Sequence, residues 1–315
     1  MSDTVDTAYI ERALELAERG RGKVRDHPLV GAVVVADGDV VGEGWYEYDA
    51  VDHAETVALA EAGERARGGT MYVTLEPCAH HGRTPPCADA VAAAGVARVV
   101  VGARDPNPKA AGGVERLRAA GVEVEVLDDA DARRQNEAWR TWVSLGRPHV
   151  TYKAAISLDG RVVVPGRRWV SGEESRRLVH ELRAAVDAVA VGMGTVRADD
   201  PELTSRGVGA TRQPRRLAFG HGETKLELRD GPLEEEMHAL AAEGVQSLLL
   251  EGGPTLATAF VRAGLVDKLM LFVAPVVSGD GPHFLGDLPE PLRLEDMSAR
   301  RVGDDVLLQA YLREP

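Results

Sequence analysis

The chain has 315 residues, the length of about two domains at roughly 150 residues each. Its 37 Lys and Arg against 50 Asp and Glu leave a formal charge of −13. With no basic block it lacks the electrostatic footprint of a phosphate-backbone binder, so nucleic acid is not an expected partner. No apolar run approaches the ~20 residues needed to span a bilayer, so no membrane partner is expected either. The N-terminus places acids ahead of a helical period and does not read as a secretory leader. Two cysteines, Cys78 and Cys87, make no disulfide framework in a chain of this size. The expectation is a soluble cytoplasmic protein.

Short Val/Ala-rich runs alternate with amphipathic stretches, which reads as α/β. A helix is predicted over residues 7–19, where Ile10, Ala13, Leu14 and Ala17 share a face. Strands at 30–35 and 40–45 flank an Asp37-Gly38 turn. A helix over 53–65, a strand at 71–74, a proline-rich loop and a helix over 86–94 follow. A strand at 99–101, a helix over 114–120 and a strand at 122–126 complete the layer set. One long helix is predicted over 130–145, stopped by Gly146-Arg147-Pro148. The domain boundary is placed there, giving domains 1–146 and 147–315. The second half restarts with a strand at 149–155 and the turn Leu158-Asp159-Gly160. A helix over 173–185 and a buried strand at 188–191 come next, and the strand runs into Gly192-Met193-Gly194-Thr195. Later strands fall at 247–250, around Phe272 and Val273, and at 306–312. The strand at 247–250 leads into Glu251-Gly252-Gly253-Pro254-Thr255 and a helix.

Both cysteines lie in one window, Pro77 to Cys87, and His53-Ala54-Glu55 precedes them at a predicted helix start. His53, Cys78 and Cys87 are borderline-soft ligands, and three of them with an open fourth position suit a catalytic zinc. Such a metal lowers the pKa of its water to about 7. Glu55, two residues from His53, can move protons in the same pocket without binding metal. Two other readings stand beside this one. His80 or His81 would close a structural four-ligand site, and the cysteines would otherwise be small buried apolar residues.

The stretch Thr74-Leu75-Glu76-Pro77-Cys78-Ala79-His80-His81-Gly82-Arg83-Thr84-Pro85-Pro86-Cys87 resembles the deaminase motif of the bifunctional RibD family of riboflavin biosynthesis. Val30-Gly31, Gly42-Glu43-Gly44, His53-Ala54-Glu55 and Asp105-Pro106-Asn107-Pro108 share the resemblance. It implies a cytidine-deaminase-like three-layer α/β/α domain with zinc on His53, Cys78 and Cys87 and Glu55 as the catalytic proton shuttle. Two departures fall on positions that line the family's substrate pocket. His27-Pro28-Leu29-Val30-Gly31 stands where the family usually reads Asn-Pro-x-Val-Gly, and Trp45-Tyr46 stands for an aromatic-His pair.

In the second half, glycines directly after a strand and before a helix permit close backbone approach to a phosphate, although a tight turn explains each one alone. The segments 153–161, 169–171, 182–184, 191–196, 199–204 and 251–256 are similar to the family's reductase domain. The resemblance implies a dihydrofolate-reductase-like α/β domain that binds NADPH. It places the cofactor on Ala155, Trp169, Ser171, Thr195, Asp199 and a turn formed by Gly253, Pro254, Thr255, Leu256, Ala257, Thr258 and Ala259. It places the phosphoribosyl substrate on Lys153, Arg183, Leu203, Arg206 and Glu251. Residues 217–235 are shorter than the family norm. The expected activity is zinc-dependent hydrolytic deamination of a diamino phosphoribosyl-pyrimidine, followed by NADPH-dependent reduction of its ribose. The alternative is a reductase alone, beside a zinc-binding deaminase domain with altered or lost substrate recognition. A homo-oligomer, dimer or tetramer, is expected.

Overall fold

The computed structural model describes residues 2–314. They form two compact units, one ending at Ser144 and the other Leu145–Glu314. In the first, α1 (Ser2–Glu18) precedes a hairpin of β1 (Gly31–Ala36) and β2 (Asp39–Trp45). Then come α2 (Ala54–Ala62), β3 (Thr70–Leu75), α3 (Cys87–Ala93) and β4 (Arg98–Ala103). The series ends with α4 (Gly113–Ala119), β5 (Glu123–Val126), α5 (Ala130–Gln135) and α6 (Glu137–Leu145). The sheet order is β2-β1-β3-β4-β5, with β1 antiparallel to both neighbours and the remaining pairs parallel.

Strand alternation sorts the apolar residues onto two faces. Ala32, Val34, Met71, Val73, Val99 and Val101 pack with Ala54, Ala58, Val91, Val114 and Leu117 of α2, α3 and α4. Val33, Val35, Tyr72 and Val100 pack with Ile10, Ala13 and Leu16 of α1. The result is the expected three-layer α/β/α arrangement. Asp37 and Gly38, at φ 53° and 89°, make the primed turn that a two-residue hairpin favours. A Cβ on Gly44 would lie 2.1 Å from the Ala54 carbonyl oxygen. That glycine lets the first turn of α2 rest directly on β2, and so seats His53.

Three helices differ from the sequence prediction, and the first of them, α1, starts at Ser2 instead of residue 7. The helix expected over 130–145 is broken at Asn136 (φ −112°, ψ 20°). The Asn136 Oδ1 accepts the Leu29 N–H at 2.8 Å, and Nδ2 donates to the Leu29 carbonyl at 2.9 Å. This buried side chain clamps a segment 107 residues away instead of continuing a helix. The helix expected to reach residue 65 ends at Ala62, because Gly63 turns to φ 56° and a 3-10 turn, Gly63–Ala66, follows.

The second unit contains β6 (His149–Ile156), α7 (Glu173–Ala185), β7 (Ala188–Gly192), α8 (Met193–Asp199) and β8 (Arg215–Phe219). It continues with β9 (Glu227–Arg229), α9 (Leu233–Ala242), β10 (Ser247–Leu250) and α10 (Pro254–Arg262). It closes with β11 (Lys268–Val273), β12 (Glu295–Val302) and β13 (Asp305–Tyr311). The eight-stranded sheet runs β12-β13-β11-β6-β10-β7-β8-β9, parallel from β11 to β9, with β13 and β12 antiparallel at one edge. Val150, Tyr152, Leu248 and Leu250 pack with Met237 and Leu240 of α9 and Phe260 of α10. The opposite face packs with Val196 of α8 and Val179 of α7. A buried pair, Arg147 with Asp267 at 2.7 Å on both arms, ties the start of the unit to the β11 entry.

β8, β9, α9 and β12 lie outside the elements predicted from the sequence. β12 is exposed along nearly its whole length, so it carries no inside–outside alternation to read. In α9, three glutamates open the helix and mask the buried Met237, Leu240 and Ala241 stripe. Gly253 is the N-cap of α10 and Pro254 its first helical position, as the order of strand, glycines and proline predicts, so the residues from 254 to 259 form the first turns of a helix.

Candidate active sites

His53 is the N-cap residue of α2, and its carbonyl accepts the Thr56 hydroxyl at 2.8 Å. Cys78 follows the end of β3, and Cys87 opens α3. The Nδ1 of His53 lies 3.7 Å from the Cys78 sulfur and 3.1 Å from the Cys87 sulfur, and all three ligand atoms lie within 4.8 Å of one another. A tetrahedral ion with Zn–S near 2.3 Å and Zn–N near 2.0 Å has donor–donor edges of about 3.5 Å, so the set fits zinc. Among the described residues neither His80 nor His81 joins the group; both are exposed. Three protein ligands leave a position open, which favours the catalytic arrangement over the closed structural one.

The surroundings favour the thiolate at Cys78, whereas the hydrogen bond to Cys78 and burial push the Cys87 thiol up. The Cys87 backbone N–H, at the start of α3, donates to the Cys78 sulfur at 3.4 Å. A hydrogen bond from the Cys87 thiol holds Cys78 down at about 4. Glu55 is buried in the first turn of α2, close to the Cys87 sulfur, and burial pushes its carboxyl upward. It stands beside the ligands without being one of them, the position a proton carrier needs.

Two supports of this loop were missed in the sequence. Glu76 is buried and accepts three backbone N–H groups, Gly112 and Val114 at 3.0 Å each and Asp105 at 3.2 Å. A Cβ on Gly113 would lie 1.7 Å from the Pro77 carbonyl oxygen, so only glycine allows α4 to start against the residue preceding Cys78. The signal for this anchor in the sequence is the carboxylate of the Glu-Pro-Cys run, directly ahead of Cys78.

In the second unit the two glycine turns meet at the carboxyl ends of the adjacent parallel strands β7 and β10. A Cβ on Gly253 would sit 3.5 Å from the Thr195 hydroxyl oxygen, and one on Gly192 would sit 3.3 Å from the Leu256 Cβ. Such a crevice at strand ends, floored by glycines and a helix start, is where α/β sheets take nucleotides. Ala257 is buried in the apolar core, and the Thr258 hydroxyl donates to the Pro254 carbonyl at 2.6 Å. Ser171 and the 55% exposed Trp169 precede α7. The indole is flanked by Arg168 and Arg176, and the segment is fixed by Asp305, which accepts the Gly172 N–H at 2.7 Å and the Ser175 hydroxyl at 2.5 Å. Asp199 lies exposed at the end of α8.

Lys153, Arg183 and Glu251 converge. Arg183 forks onto the Glu251 carboxylate at 2.6 and 3.0 Å, and Lys153 donates to it at 3.2 Å. Burial pushes the Glu251 carboxyl up, but Lys153 and Arg183 outweigh it and hold it at about 2. Arg183 also donates to the Thr204 carbonyl at 3.2 Å. Leu203 packs into the core with φ at 54°, an outlying conformation for a branched residue. Arg206 lies apart from the triad and pairs with Glu202 at the surface.

Residues 3–103 match the family of cytidine and deoxycytidylate deaminase zinc-binding regions, and residues 148–308 match the RibD C-terminal domain. The chain is 38% identical to the riboflavin biosynthesis protein RibD of Aquifex aeolicus, over 96% of this chain and 98% of that one. It is 40% identical to the RibD of Mycobacterium tuberculosis H37Rv, over 96% of each. Among solved structures it is similar to Acinetobacter baumannii RibD, with a TM-score of 0.84 at 34% identity over 98% of this chain and 99% of that one. The Thermotoga maritima deaminase/reductase gives the same TM-score at 31% identity, over 99% of both chains. The chain belongs to the RibD family, the bifunctional deaminases and reductases of riboflavin biosynthesis.

Proposed function

We propose that residues 1–146 are the deaminase domain and residues 147–315 the reductase domain of this enzyme, acting in that order on one phosphoribosyl-pyrimidine. The substrate of the first step is 2,5-diamino-6-(ribosylamino)-4(3H)-pyrimidinone 5′-phosphate, which loses its 2-amino group as ammonia. His53, Cys78 and Cys87 would hold zinc, which when bound supplies a water activated at neutral pH. Glu55 takes the proton of that water and passes it to the departing amine. Its burial keeps the carboxyl out of bulk water, so the proton is handed over within the pocket.

In the second domain, NADPH supplies a hydride when bound. Ala155, Trp169, Ser171, Thr195, Asp199 and the start of α10 from Gly253 to Ala259 would hold it. The hydride acceptor is C1′ of the ribose, which is electrophilic in the ring-opened imine, and the product is a ribityl chain. Lys153, Arg183, Leu203, Arg206 and Glu251 form the substrate side. The Glu251 carboxylate orients Lys153 and Arg183 and keeps both charged groups from collapsing elsewhere.

The observation that carries this reading is the three-ligand group with buried Glu55 beside it. The test follows ammonia release and NADPH oxidation separately on the diamino substrate. Ammonia release that is lost in Glu55→Ala supports the reading. No ammonia release from the parent enzyme leaves the reductase alone, and release that persists unchanged in Glu55→Ala removes Glu55 as the proton carrier. Reduced thiol ligands suit the cytoplasm as its compartment. A homo-oligomer, dimer or tetramer, is supported by the exposed β12 edge with its 71% exposed Met297, and light scattering counts the subunits.

A further inference from the structure

The start of α7 is tied down from a distant strand of the same sheet. Gly172 is the N-cap of α7 and has no side chain with which to cap it. In a capping box the carboxylate at the third helical position reaches back to the N-cap N–H, but here that position is Ser175. The carboxylate comes instead from Asp305 on β13, 133 residues away. Its Oδ2 accepts both the Gly172 N–H at 2.7 Å and the Ser175 hydroxyl at 2.5 Å. Both side chains, Asp305 and Ser175, are buried.

The turn that presents Asp305 lies directly against the helix. Asp305 pairs with Val302 across the β12–β13 hairpin, and a Cβ on Gly303, between them, would sit 2.6 Å from a Glu174 carboxylate oxygen. Further along β13, Leu307 packs with Val179 of α7. The same helix start holds the segment ahead of it. Arg176, the residue after Ser175, donates to the Ser171 carbonyl at 2.8 Å, and its guanidinium lies 5.6 Å from the centre of the Trp169 ring. That indole is exposed, so the two arginines beside it, Arg176 and Arg168, fix the ring where burial does not.

We infer that Asp305 is a positioning residue for the reductase cofactor: through Gly172, Ser175 and Arg176 it holds Trp169 and Ser171 in the arrangement that NADPH binds. It acts through the first turn of α7 and not by contact with the cofactor. This inference rests on the reading above that Trp169 and Ser171 hold NADPH. Without the clamp the binding-competent arrangement is only fractionally populated, and the apparent affinity falls by that fraction. Once NADPH is bound the segment is in place, so the hydride step and the pyrimidine side are untouched.

The test uses the full-length zinc-loaded enzyme, with NADPH titrated calorimetrically and its oxidation followed on the deaminated pyrimidine. A competent population cut to about a tenth raises Kd and KM for NADPH about tenfold in Asp305→Ala, with kcat and the pyrimidine KM within about twofold of the parent. Asp305→Asn keeps an oxygen acceptor in place of Oδ2 and recovers most of that loss. Ser175→Ala removes one of the two bonds and gives a smaller rise of the same kind, which carries the test if Asp305→Ala does not fold. A partly misfolded population would lower kcat per chain and leave the Kd of the folded fraction alone. Arg176→Ala acts on the same chain of contacts, so the double variant with Asp305→Ala stays near tenfold instead of reaching about a hundredfold. Trp169→Ala separates the two readings. If it binds NADPH as the parent does, the cofactor assignment falls and the inference falls with it. Weaker binding in Trp169→Ala beside a parent-level Kd in both Asp305→Ala and Ser175→Ala overturns the inference alone. Multiplying penalties in the double variant, or a pyrimidine KM that rises in step with that for NADPH, also overturn it.

Discussion

Glu251→Gln tests how the reductase site is held together. Glu251, Arg183 and Lys153 have side-chain exposures of 8%, 14% and 15%, and the carboxylate receives three hydrogen bonds from the two cations. The carboxyl falls from its ordinary 4.5 to about 2, a shift that corresponds to about 3 kcal/mol of stabilisation at neutral pH. The neutral amide retains the shape and one acceptor but leaves two nearly buried cations uncompensated. Removing one partner of such a buried pair costs about 3–5 kcal/mol. A loss of about 3 kcal/mol is therefore expected for the second unit. Urea unfolding of the full chain, followed by circular dichroism with residual reductase activity as the marker of that unit, measures it.

The pH dependence has a fixed sign. The folded-state pKa of Glu251 is depressed, so its stabilisation is complete above about 4.5 and drains away as pH falls toward 2. The gap between parent and Glu251→Gln must narrow across that window. A loss below about 1 kcal/mol at pH 7, or a gap that does not shrink on acidification, would show that the cations are held by something other than this carboxylate.

Gly113→Ala drives a methyl group into the Pro77 carbonyl, which must move and take Cys78 with it. Zinc per chain, read by elemental analysis, should fall below half, with ammonia release reduced at least tenfold. Full zinc occupancy in this variant would refute the coupling. Glu76→Ala orphans the amides of Asp105, Gly112 and Val114, and at roughly 1–3 kcal/mol per unsatisfied buried group should destabilise the first unit by at least about 3 kcal/mol in urea unfolding. An unchanged midpoint would mean that water replaces the carboxylate. Removal of metal by a strong chelator should stop ammonia release and leave NADPH oxidation on the deaminated intermediate intact, because the second unit has its own apolar core. Parallel loss of both activities would contradict that independence.

The sequence by itself determined the α/β class, the strands of the first sheet and the residues of the candidate metal site. Strand alternation and donor chemistry are local properties, so Val33 and Val34 announce opposite faces, and His53, Cys78 and Cys87 offer a donor set suited to zinc, before any folding is considered. The tertiary structure decided what depends on partners distant in the chain. Asn136 breaks a helix because Leu29 uses its amide, and no helical period encodes that exchange. Arg183 forks onto Glu251, 68 residues away, a pairing that no local pattern encodes. Glu76 became an anchor only when α4 and the Asp105 loop arrived above it. β12 was illegible for the opposite reason: an edge strand with both faces in solvent has no burial pattern to impose on its residues. Periodicity and ligand type are written into neighbouring residues. Which buried polar group satisfies which other is settled only when the folded chain brings them within about 3 Å.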